Sequence, residues 1–112
     1  MPIILKIEHE DSQRTAVWEI TEDEDTLLQL ASLHKADEQA FSLITNPQRR
    51  LEWLAVRILL KEFYESPPLI NYHKNGKPLL VNHTDKISIS HSGKMVAIAL
   101  HSHRNPGIDI EM

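Results

Sequence analysis

The stretch from Asn46 to the double proline Pro67-Pro68 restricts this chain more than any other. Pro47 can open an α-helix, because the N–H it lacks belongs to a first turn whose donors have no intrahelical partner anyway. No breaker follows before Pro67, so the spacing predicts a long helix over "QRRLEWLAVRILLKEFYE", capped by Thr45 or Asn46. Leu51, Leu54, Ala55 and Ile58 recur at i, i+3, i+4 and i+7, which gives the helix one stripe for a core. Arg50, Arg57 and Lys61 follow one another at intervals of seven and four and form a basic row along one edge of that stripe. On spacing alone a solvated helix edge is the favoured explanation of such a row.

The periodicity changes on both sides of this helix. Before it, "IILKIE" and "TAVWEI" are β-prone runs joined by the polar "HEDSQR" and read as a hairpin. Thr21 and Glu24 match a capping box ahead of "DTLLQLASL", and "ADEQAFSLI" reads as a short second helix. After the prolines, "LINYHK" and "KPLLV" flank Asn75-Gly76, a dipeptide suited to a tight turn. "KISIS" alternates, "HSGK" turns around Gly93, "MVAIAL" is apolar enough for a central strand, and "IDIE" closes the chain. Two strands, three helices and five strands predict an α+β fold: one domain, residues 1–112, with a mainly antiparallel sheet packed on the long helix.

Composition removes several function classes. Sixteen acids against twelve bases leave a net charge of −4, which gives no general attraction for nucleic acid. The absence of cysteine excludes disulfides and thiolate metal sites and makes a cytoplasmic setting the expectation. No apolar run approaches the roughly eighteen residues of a membrane span, and "MPIILKIEHE" lacks the basic flank and cleavage site of a secretory leader. Of seven scattered histidines only His101 and His103 are spaced as a ligand pair, and "HSHRNPG" reads first as a polar loop.

Three polar points remain. Lys77, after the Asn75-Gly76 turn, could reach a phosphate, although a hairpin turn alone accounts for "NGKP". Ser90, His91 and Ser92 gather hydroxyl, imidazole and backbone donors at a strand end, which suits phosphate oxygens and is also ordinary turn chemistry. Neighbouring strand residues point apart and no acid partner for His91 is evident, so a catalytic triad is excluded. Asp109 and Glu111, at i and i+2 on the last strand, share one face. That is a common wet sheet edge, and also a pair able to hold Mg²⁺ alongside water and substrate phosphate.

In this order and spacing, "RRLEWLAVRILLKE", "INYHKNGKPLL", "ISISHSGKMVAIAL" and "PGIDIE" resemble the N-terminal half of the larger, single-chain 4'-phosphopantetheinyl transferases, over residues 45–111. The resemblance implies one half of that family's pseudo-two-fold fold. It implies transfer of the phosphopantetheine arm of coenzyme A to a serine of an acyl- or peptidyl-carrier protein, so the nucleophile belongs to the partner. Position by position, it implies that Gly76, Lys77 and Pro78 line the adenine and phosphate end of coenzyme A, and that Ser90 and His91 touch its phosphates. Asp109 and Glu111 would ligate Mg²⁺, and Arg50 and Arg57 would belong to a helix associated with coenzyme A, although the match does not decide among Arg49, Arg50 and Arg57. Asp109, Glu111 and His91 are the residues placed closest to the chemistry. Charge compensation on a pyrophosphate and an aligned hydroxyl are what such a transfer requires.

The family's second half, with a Lys-Glu-Ala helix whose glutamate completes the metal site, has no counterpart in these residues. Lys61-Glu62 lies in the first-half helix and does not replace it. The half-sized carrier-protein synthases carry Gly-Ile-Asp near their beginning, unlike this chain. Met112 is therefore expected to be a boundary imposed on a longer enzyme, with little activity in the isolated chain. An apolar surface is expected where the second half would dock, open to self-association. The competing expectation is a non-catalytic module that binds coenzyme A, a nucleotide or a protein.

Overall fold

The computed structural model describes residues 4–8, 13–72, 74–81 and 85–101. Strands β1 (Ile4–Glu8) and β2 (Arg14–Glu19) form the expected hairpin, and helices α1 (Glu24–Ala31), α2 (Lys35–Ser42) and α3 (Pro47–Leu60) follow. Next come β3 (Ile70–Tyr72), β4 (Pro78–Leu80), β5 (Lys86–Ser92) and β6 (Met95–His101). The architecture is α+β. One antiparallel sheet has the order β1-β2-β6-β5, and β3-β4 is a separate antiparallel pair beside β5.

Strand alternation builds the core. The register sets Trp18 opposite Val96, Ala16 opposite Ile98 and Ile87 opposite Leu100, on the face where Leu54, Leu59 and Leu60 of α3 pack. Val96 through Leu100 are all buried, so "MVAIAL" is the central strand its composition predicts. Leu5 and Ile7 occupy the opposite face at 59% and 39% exposure. No helix among the described residues is long and apolar enough to cross a membrane.

Several local expectations are corrected. The cap of α1 is Asp23, whose carboxylate accepts the Thr26 N–H at 2.9 Å, not Thr21 in a box with Glu24. Asp23 stands next to the first helical residue and offers the better-placed oxygen, while Glu24 is itself in the first turn. Asn46 caps α3 by accepting from Arg49 N–H at 3.1 Å, and Pro47 opens it. The long helix is not present: α3 has 14 residues. From Lys61 to Phe63 the backbone bonds shift to i→i−3, Lys61 to Ile58, Glu62 to Leu59 and Phe63 to Leu60. This tighter winding brings Phe63 and Tyr64 back against the core. There the Arg14 guanidinium sits 5.5 Å from both ring centres and pairs with Asp85 at 2.8 Å, and the Tyr64 hydroxyl donates to the same carboxylate.

The Asn75-Gly76 connection is also looser than a two-residue turn. Tyr72 pairs with Pro78, so more than two residues separate the strands; Gly76 has φ +86° and Asn75 does not take a positive φ. Asn75 instead accepts the Lys77 N–H at 3.1 Å. The two-residue turn is at Gly93-Lys94, where Gly93 alone is at positive φ (+56°), the pattern of a II′ turn. His101 ends β6, buried, and is not part of a loop.

Candidate functional site: a cleft between α3 and the end of β5

A helix stripe and a strand end line a cleft. Arg49, Glu52, Trp53, Val56 and Arg57 lie at i, i+3, i+4, i+7 and i+8 on α3, so they share one face. Ile89 and His91, two apart on β5, face that stripe, and Tyr72 of β3 closes one side. The space enclosed is 220 Å³.

Arg57 is the most constrained member. Only 7% exposed, it stacks on Trp53 with its guanidinium carbon 3.6 Å from the ring centre, and its Nη1 reaches the Trp53 carbonyl at 3.4 Å. Its Nε is buried without a hydrogen-bond partner among the described residues. Burial pulls the guanidinium below the usual arginine range, and the nearby Tyr72 and Asp37 oppose that shift. Trp53 also packs against Phe41, 5.6 Å between ring centres. Arg49 is exposed, and among the described residues its guanidinium makes no hydrogen bond or ion pair. Across the cleft, Glu52 Oε1 stands 3.5 Å from His91 Nδ1. Two arginines, a histidine and one carboxylate thus line the same cleft, a set of donors that can accept an oxyanion.

The basic row expected on α3 is neither a solvated edge nor a ligand site as a whole. Arg50 is committed to holding helices together: its Nε and Nη2 donate to Glu24 at 2.7 and 3.1 Å, and Nη1 donates to the Ile44 carbonyl at 2.7 Å. Its guanidinium also lies 3.9 Å from the Phe41 ring centre. The pairing raises the Arg50 pKa and holds the Glu24 carboxyl below the ordinary range. Lys61 donates to the Leu30 carbonyl at 2.9 Å. Only Arg57 of the row reaches the cleft, and Arg49, one residue from the expected Arg50, joins it.

The other expected residues divide. His91 lines the cleft, but Ser90, one residue earlier, points to the opposite face of the sheet opposite Ala97. Gly76, Lys77 and Pro78 stay outside the lining; Pro78 is the register partner of Tyr72, so the loop is attached to the wall of the cleft without forming it. Asp109 and Glu111 lie outside the described residues. Among the described residues no three imidazole or carboxylate side chains converge as metal ligands. Sequence reasoning overlooked Glu52, Trp53 and Tyr72. The signal for the first two was available as a second helical periodicity, Arg49-Glu52-Trp53-Val56, beside the apolar stripe. No family model, curated protein or solved structure matches this chain.

Proposed function

We propose that the cleft between α3 and β5 binds the phosphate end of coenzyme A, and that the chain serves transfer of its phosphopantetheine group to a serine of an acyl- or peptidyl-carrier protein. The observation that carries this reading is the convergence of Arg49, Arg57 and His91 on one 220 Å³ space, with one guanidinium pre-oriented by stacking. A buried arginine held against an aromatic ring offers its donors to an anion at little cost in side-chain entropy. The ordered motifs from the α3 arginines to Gly-Ile-Asp-Ile-Glu supply the chemical identity of that anion.

In this reading Arg49 replaces Arg50 as the helix residue that meets the ligand, and Lys77 acts from the adjoining loop. Asp109 and Glu111 are assigned to Mg²⁺ from the motif alone. The open face at Leu5 and Ile7 is the candidate surface for a second half or a second copy.

Titration calorimetry with coenzyme A tests the proposal. Binding is expected, weakened about tenfold or more in Arg49→Ala and His91→Ala, as for loss of a charge-assisted hydrogen bond. Loss of its Mg²⁺ dependence is expected in Asp109→Ala. Absence of binding, or binding that neither cleft substitution changes, would overturn the reading. Mass spectrometry of an apo carrier protein after incubation with coenzyme A, Mg²⁺ and the isolated chain is expected to show little or no modification, and modification at a normal enzymatic rate overturns that expectation.

A further inference from the structure

We infer that Glu52 is a positioning residue: held by Gln48, it fixes the His91 imidazole so that Nε2 faces an anion in the cleft. This rests on the reading of the cleft as a phosphate site. His91 needs such a device. It sits on the edge strand β5 with its side chain 59% exposed, and among the described residues Glu52 is its one ion-pairing neighbour.

Glu52 is well suited to the task, because its own side chain is only 16% exposed. Gln48, one turn earlier on α3, donates from Nε2 to Glu52 Oε1 at 3.3 Å and to the Gly93 carbonyl at 3.1 Å. The oxygen that faces His91 Nδ1 is therefore tied both to the helix and to the turn that follows His91. An imidazole whose Nδ1–H is taken by a carboxylate has its other nitrogen directed away from that carboxylate. As an imidazolium it directs Nδ1–H toward Glu52, at ion-pair distance, and leaves Nε2–H for a phosphate oxygen.

The competing role is that of a bystander. A carboxylate beside Arg49 and Arg57 repels an anion, so a bystander's removal strengthens binding. Removal of a positioning group weakens it.

Ring ¹⁵N NMR of the whole chain, with the His91 signals assigned by their loss in His91→Gln, decides between the two. Neutral His91 is expected as the Nδ1–H tautomer in the natural sequence and to move toward Nε2–H in Glu52→Ala. The isosteric Glu52→Gln moves the same way by less and guards against misfolding in the alanine variant. An unchanged tautomer balance in both variants overturns the inference. Coenzyme A affinity is expected to fall about two- to fivefold in Glu52→Ala, the range of a partly exposed pair; unchanged or tighter binding also overturns it. If the natural sequence shows the tautomer effect but no coenzyme A binding, the cleft assignment fails while the positioning contact stands.

Discussion

At the scale of single residues, Arg49 and Arg50 show how one step along a helix separates a candidate ligand from a structural tie. Arg50→Ala is expected to lower the urea midpoint and leave coenzyme A binding unchanged, since its donors are spent on Glu24 and Ile44. Arg49→Ala should do the reverse, shifting stability by no more than about 0.5 kcal/mol while reducing affinity. Titratable groups give a second prediction. Arg50 holds Glu24 below its ordinary 4.5, and hydrogen bonds from Thr26 hold Asp23 below 3.8. Both carboxyls bind protons less tightly folded than unfolded, so their stabilisation is complete above those ordinary values and is lost as pH falls through the folded ones. Urea midpoints should drop on acidification from about pH 5, less so in Glu24→Gln. On the alkaline side, burial and then the Asp85 hydrogen bond push the Tyr64 phenol above its ordinary 10.0. The folded state keeps that proton, so this contribution is present below pH 10.0 and lost as pH rises beyond it. Tyr64→Phe should flatten that limb.

At the scale of elements, the β5-β6 turn connects backbone chemistry to the cleft. Gly93 at φ +56° occupies a region that costs an L-residue about 1–2 kcal/mol, so Gly93→Ala should destabilise by roughly that amount in urea titrations. Because Gln48 is bonded to the Gly93 carbonyl, the same variant should broaden or shift the His91 ring signals. The start of α3, the N-terminal hairpin, the α1-α2 pair and the central place of β6 were legible in the sequence, because prolines, caps and alternation are local signals. The end of α3 was not: Arg14 and Asp85 draw Phe63 and Tyr64 inward, and those partners are distant along the chain. The site was legible in part. His91 and Arg57, expected from motif and spacing, line the cleft, whereas Arg50 does not, because a basic row does not reveal that Glu24 lies beside it.

At the scale of the whole molecule, burial is concentrated on β2, β6 and α3, and the β3-β4 pair has three residues in each strand with Asn71 and Tyr72 exposed. Amide exchange should therefore be slowest in Trp18, Leu54–Leu60 and Val96–Leu100 and much faster at Ile70–Tyr72, by mass spectrometry of deuterated peptides. Tyr72 would then border the cleft from its least stable side. The aromatic wall has an optical consequence. The chain holds two tryptophans, Trp18 fully buried between sheet and helix and Trp53 lining the open space with Arg57 on its face. A solute entering there alters the surroundings of one indole and leaves the other dark to the event, so the protein's own emission spectrum is a label-free gauge of occupancy.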